Sequence, residues 1–217
     1  MKLIRIIRIF STFATLRLDR NLPKKNRTGL PRLFLWFLKL VPEPKSTGPE
    51  STRIALEKLG PIFIKFGQIL STRKDLFSQE MSLELEKLQD QVPPFDSETA
   101  IKIIEGEIKS PITSVFTSFD SEPIASASLA QVHSASLMIN SHEKEVVIKI
   151  LRPGIKKIIR ADISLMLFFA KLLEKFWPDA KRLHPVTIVK DYETIILDEL
   201  DLLLEANNSA TLRKNWA

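Results

Sequence analysis

Two periods run through the hydrophobic and polar positions of this chain. At the N-terminus Leu3, Ile6, Ile7, Phe10 and Phe13 recur at helical spacing on one stripe, with Arg5 and Arg8 between them. Later apolar residues repeat in the same way over Thr52–Leu59, over a helix opening at Pro61, and over Met81–Gln91, which Pro93-Pro94 stops. On the Pro61 helix Ile62, Phe66, Ile69 and Leu70 share a face, and Arg73, Lys74 and Asp75 finish it. Asp96 caps a helix over Ser97–Ile108, with Glu98 favourably placed in its first turn. Two further helices follow, Ile155–Phe176 ended by Trp177-Pro178, and one from Pro185 to roughly Leu212. Between them and the earlier helices lies a different pattern. Glu145–Leu151 carries Val146, Val147, Ile148 and Ile150 and reads as a short buried β-strand.

Punctuation divides the chain. The stretch Pro42–Ser51 is proline-rich and predicts a linker. No repeat and no low-complexity tract is found. The division predicted is an arm and linker over 1–50, a helical extension over 51–118, and a mixed domain over 119–217. Leu33–Val41 is the most apolar run, but it contains Lys39 and falls well short of the ~20 residues that cross a bilayer. Its Phe34, Trp36 and Phe37 suit either a membrane interface or a core. The N-terminus lacks the unbroken apolar stretch and the small-residue cleavage site of a secretory signal.

Composition narrows the chemistry. Hydrophobic residues make up 44% and charged residues 27% of 217, which describes a folded protein. With no cysteine, disulfides, thiolate zinc sites and thiol catalysis are excluded. His133, His142 and His184 match no metal-site spacing. The net charge of +6 is uneven: residues 1–45 hold eleven Lys or Arg against Asp19 and Glu43, so the remainder is acidic. A basic amphipathic arm of this kind predicts a helix lying on an anionic membrane surface, or else one packed on its own domain. Nucleic acid is disfavoured, because the body is acidic and its aromatic residues do not alternate with basic ones.

Lys149 sits in the middle of the strand. An ammonium buried among Val and Ile needs an anion or a carboxylate, whereas on the open face of a half-covered strand it needs neither. Before it, Ala125, Ala127, Ala130 and Val132 fall at the spacing of the kinase phosphate loop G-x-G-x-x-G-x-V. Val146-Val147-Ile148-Lys149 stands where that signature has V-A-I-K. Alanine replaces every glycine, so positive φ and close approach to a phosphate are restricted. Backbone N–H groups and the hydroxyls of Ser126 and Ser128 remain available as donors.

The segment PIASASLAQVHSAS resembles the alanine-rich nucleotide loop of the UbiB family of atypical protein-kinase-like proteins. Lys65-Phe66-Gly67-Gln68 resembles the family's K-x-G-Q motif, and Glu199-Leu200-Asp201 its E-x-D motif. The three occur in the family's order. The resemblance implies an α+β, protein-kinase-like fold, with a helical N-terminal extension packed on a small kinase N-lobe sheet. It implies that Ile124, Ala125, Ser126, Ala127, Ser128, Leu129, Ala130, Gln131 and Val132 cover a bound ATP or ADP, and that Lys149 contacts its phosphates. In a continuous helix Asp201 and Glu205 lie about 40° apart and Glu199 about 120° from Glu205, so the acids serve different partners. By the resemblance, Glu205 orients Lys149 as a kinase αC glutamate does. Glu199 then engages Lys65, while Lys65, Gln68, Glu199 and Asp201 shape the cleft. Asp162, with Lys171 and Lys175 further along, reads as a surface acid.

A kinase also needs a catalytic aspartate and a second one holding Mg²⁺. Neither motif occurs in this sequence, so the C-lobe is expected to be missing and this chain alone to transfer no phosphoryl group. The resemblance implies support of ubiquinone biosynthesis at the cytoplasmic face of a bacterial inner membrane. The partners it implies are nucleotide, a membrane surface, and ubiquinone-biosynthesis proteins or isoprenoid lipid intermediates. The alternatives are a non-catalytic lipid- or isoprenoid-binding accessory protein, built on Phe63, Phe66, Ile69 and the arm, and a helical interaction module.

Overall fold

The computed structural model of the protein describes residues 2–21, 38, 40–89, 92–176 and 181–216. The expected features at Phe34, Trp36, Phe37 and Trp177-Pro178 lie outside them. Residues 1–89 with 156–217 form one compact unit, and residues 90–155 form another.

In the first unit α1 covers Lys2–Thr15. It is the predicted arm helix, but its basic residues are used internally. Arg5 gives two hydrogen bonds to Asp162, at 2.7 and 2.5 Å, and Arg8 donates to the Lys58 carbonyl. Further on, Arg17 binds Asp19 at 2.9 and 3.2 Å and the Val41 carbonyl at 3.0 Å. Asp19 thereby holds the Arg17 guanidinium above its already high range. Arg20 donates to the Ser46 carbonyl. The expected single outward stripe is split as well: Ile7 and Phe10 are exposed, whereas Ile6 and Phe13 are half-buried.

The helix α2, Gly48–Leu59, begins four residues earlier than the sequence predicts. Thr47 and Glu50 form a reciprocal capping box, which recruits part of the expected linker into the helix. Gly60, at φ 104°, turns the chain into α3, Pro61–Ser71. Arg73 and Asp75 pair beyond the end of α3 instead of completing it. The next helix, α4, is Gln79–Glu86, shorter than expected and capped by Ser78. Ile64, Leu85 and Leu88 make the core of these three helices, with Leu56, Leu70 and Met81 against it. Gly67 sits where a Cβ would run into the side chains of Leu88 and Leu56.

The helix α7, Ile155–Phe176, has the predicted bounds. It buries Ile159, Ile163, Met166 and Ala170. Asp162 is buried too, at 1% exposed, because it receives Arg5; the expectation of a surface acid fails. The single long helix expected from Pro185 is two helices, α8 (Pro185–Asp198) and α9 (Leu202–Trp216). Tyr192 on α8 donates to the Ile62 carbonyl at 2.6 Å, and its ring lies 5.0 Å from that of Phe66.

The second unit holds α5 (Ser97–Ile108), a short α6 (Ile112–Val115), and strands β1 (Ser118–Ser126), β2 (Ala130–Ile139) and β3 (His142–Leu151). Asp96 caps α5 as predicted, accepting from the Thr99 N–H at 2.8 Å. The strands form an antiparallel sheet in the order β1-β2-β3. Asn140 and Ser141, both at positive φ, make the two-residue hairpin turn that matches strand twist. The register of β1 against β2 shifts on either side of Pro123, on a strand that tolerates a missing N–H because it lies at an edge. Ala100 and Ile104 of α5 cover one face of the sheet, packing on Ile150 with Phe95, Phe119 and Ile148.

Candidate functional site

Strand alternation decides what each side chain of the motif strand can do. Gln131 pairs with Ile150, His133 with Ile148 and Ala135 with Val146, and these pairs lie beneath α5. Val132 pairs with Lys149, Ser134 with Val147 and Ser136 with Glu145, on the other face. Lys149 is therefore exposed. The expectation of a buried strand holds for one face only, since a single helix of this unit covers a single side.

The alanine segment is a tight connection and not an open loop. Ile124, Ala125 and Ser126 end β1, Ala127–Leu129 turn, and Ala130, Gln131 and Val132 start β2. The Ala127 N–H donates to the Ala130 carbonyl at 2.9 Å. Ser128, Leu129, Ala130 and Gln131 are buried, Ile124 and Ala125 are exposed, and Ser126, Ala127 and Val132 lie between. A concavity of about 610 Å³ opens beside the turn, lined by Val92, Pro93, Ile124, Ala125 and Ser126.

Arg152 was not singled out by motif, yet it organises this turn. Its N–H donates to the Leu129 carbonyl at 2.8 Å. Its guanidinium donates to the Ala127 carbonyl (2.9 Å), the Ser126 hydroxyl (2.8 Å), and the carbonyls of Pro93 (3.0 Å) and Val92 (3.2 Å). The same group lies over the Phe95 ring. One rigid fork thus gathers acceptors from two stretches of chain.

Gln131 is committed elsewhere. Its amide accepts from the Phe95 N–H at 3.0 Å and donates to the Phe95 carbonyl at 3.3 Å. It also donates to His133 Nε2 at 2.8 Å, so Nδ1 carries the proton that reaches the Asp120 carbonyl. Phe119 stacks on the imidazole. This buried set fixes the segment before α5 to β2.

In the first unit Lys65 and Glu199 form an ion pair at 3.0 Å. Gln68 donates to the Leu88 carbonyl at 3.0 Å and so secures the end of the α4 region. The E-x-D residues occupy the break between α8 and α9. Glu199 closes α8, and Asp201 caps α9 by accepting from the Leu204 N–H at 3.0 Å. Asp201 and Glu205 therefore do not share a continuous helix with Glu199, and the angular separation inferred from one does not apply. Glu205 lies in the exposed first turn of α9.

Over residues 87–217 the sequence matches the ABC1 atypical kinase-like domain. The chain belongs to the UbiB-type ABC1 atypical kinase-like family. It is 49% identical to the probable protein kinase UbiB of Marinobacter nauticus over 219 residues, which takes in 99% of this chain and 39% of the relative. Against the protein of the same name from Cellvibrio japonicus it is 48% identical, covering 98% of the chain and 38% of the relative. With that of Pseudomonas fluorescens the identity is 53% over 164 residues, 76% of the chain and 30% of the relative. The chain thus spans about two fifths of the length of the first two relatives. Helices with a three-stranded antiparallel sheet agree with the small lobe of the ABC1 kinase-like domain.

Proposed function

We propose that this chain carries the nucleotide-gripping part of a UbiB-type atypical kinase or ATPase that supports ubiquinone biosynthesis. The observation that carries the reading is the face of the sheet turned away from α5. There Lys149 stands across from Val132 in register, and Arg152 secures the alanine turn leading into the same strand. An ammonium with a neighbouring apolar side chain suits a phosphate together with the body of a nucleotide.

In this reading the backbone of Ala125–Val132 covers the phosphates, Lys149 contacts them, and Glu205 orients the lysine. The Lys65–Glu199 pair, with Gln68 and Asp201, restricts the cleft. Mg²⁺ accompanies the ATP or ADP phosphates. Among the described residues no group of three or more His, Asp or Glu converges as a metal site, so acids elsewhere in an intact enzyme would hold it. Isoprenoid intermediates of the quinone pathway, and the proteins that handle them, are the proposed partners, met at the cytoplasmic face of the inner membrane.

Calorimetric titration with Mg·ADP on a protein of the relatives' full length tests this. Lys149→Ala is expected to weaken binding about tenfold or more, the loss of a charge-assisted contact. Equal affinity in the mutant would overturn the assignment.

A further inference from the structure

The outward face of α7 has no place in the nucleotide reading. Lys157, Arg160, Ser164, Phe168, Lys171 and Lys175 are all exposed. On an α-helix these positions fall within roughly 80° of one another. The only acids of α7 lie off this face: Asp162 is buried against Arg5, and Glu174 accepts the Val186 N–H. No ion pair engages Lys157, Arg160, Lys171 or Lys175 among the described residues.

Aromatic contacts join this row to the arm helix. Phe168 meets Phe169 edge-on at 5.4 Å, and Phe169 meets Phe10 of α1 at 5.6 Å. The α1 helix contains no acid and leaves Ile4 at 74% and Ile7 at 57% exposed. A row of cations, an aromatic ring in its middle and an apolar helix edge beside it therefore belong to one unit.

We infer that α7 and the Ile4–Ile7 edge of α1 form a docking surface for an anionic lipid bilayer. Two features choose lipid over protein. Lysine is depleted at protein–protein interfaces, and here Lys157, Arg160, Lys171 and Lys175 flank Phe168 on the same face. A helix with this distribution lies in the interfacial plane, its lysine stems reaching through the headgroups. None of the described helices is long and apolar enough to cross a membrane. The surface also relocates the charge that binds lipid. The described arm arginines are occupied internally, so the lysines of α7 carry the attraction. Its purpose rests on the reading that the partners are membrane lipids, but its test does not depend on nucleotide.

The experiment is vesicle co-sedimentation of the 217-residue chain. Vesicles of phosphatidylcholine alone are compared with phosphatidylcholine–phosphatidylglycerol mixtures. Wild type is expected to bind the mixed vesicles, to ignore the neutral ones, and to be released by salt. Each removed cation should lower partition about fivefold, and the fourfold variant Lys157→Gln, Arg160→Gln, Lys171→Gln, Lys175→Gln about a hundredfold or more. Phe168→Ser with Ile7→Ser should weaken binding by a smaller factor with unchanged salt sensitivity. Lys102→Gln with Lys109→Gln, in the other unit, should bind as wild type does. Circular dichroism confirms that each variant is folded; a poorly folded fourfold variant is replaced by the single ones, whose fivefold losses decide equally. A fourfold variant that still binds, or a wild type that ignores anionic vesicles, as it would if its partner were an acidic protein, overturns the surface. Calorimetry of the same variants with Mg·ADP keeps that failure apart from a failure of the nucleotide reading.

Discussion

The two compact units differ in what their arginines meet. In the first, besides the carbonyl contacts of Arg8, Arg17 and Arg20, guanidiniums meet carboxylates: Arg5 with Asp162, Arg17 with Asp19, and Arg53 with Glu57 and Glu84. In the second, Arg152 donates to three carbonyls and a hydroxyl around the alanine turn. Removing one half of a carboxylate pair strands a charge, whereas removing Arg152 strands only neutral acceptors that water can reach in part. Where the acid is buried, as at Asp162, the first kind of contact bears on stability. The second governs how one turn is held.

The largest effect should follow from breaking the pair that holds the most buried acid. Arg5→Ala leaves Asp162, at 1% exposed, without its cation. Chemical denaturation is expected to show a loss of about 3–5 kcal/mol. The double change Arg5→Leu with Asp162→Leu should recover most of it, since no charge then remains buried. A single mutant within 1 kcal/mol of wild type, on the scale of an exposed pair, would erase the contrast drawn here.

Arg152→Gln should cost less, about 1–2 kcal/mol, because neutral acceptors lose a donor. Its distinctive signature is local. Hydrogen exchange at the amides of Ala127 and Ala130 should accelerate while α5 stays protected, and Arg152→Lys should restore little, lacking the fork. Uniform acceleration across the unit would mean that Arg152 acts on stability alone.

The smallest effect concerns pH. The Thr99 backbone N–H and hydroxyl hold the Asp96 carboxyl below the usual range. A carboxyl depressed by folding stabilises above its unfolded pKa of about 4, and that contribution disappears as pH falls through the folded value. Asp96→Asn keeps a cap but cannot titrate, so its acid-unfolding curve should be shallower below about pH 4. Superimposable curves would show that the cap's charge contributes nothing.

Local signals were legible to the residue. Asp96 with the helix after it, and the span of α7, follow from caps and periodicity contained within a few turns. What failed had a distant cause. Nothing near Asp162 announces Arg5, 157 positions away. Val146-Val147-Ile148 reads as buried on both sides, and only the tertiary placement of α5 shows that one side is covered. The break after Asp198 is hidden because leucines continue the apolar period through it. Asp201 gave the one available hint, since an acid before Leu202-Leu203-Leu204 also reads as a helix cap. Lys65 and Glu199 were foreseen as partners through a family resemblance, and they do pair, although the helix geometry invoked for the acids was not the geometry present. Arg152 escaped because carbonyl acceptors have no sequence signature.

The central claim is that the alanine turn and the Lys149 strand hold a nucleotide. Hydrogen exchange of a full-length relative-sized protein, with and without Mg·ADP, tests it most directly. The account predicts new protection concentrated at the amides of 125–132 and along β3, abolished by Lys149→Ala. Nucleotide that protects neither segment, or protects both equally well in the alanine variant, would contradict it.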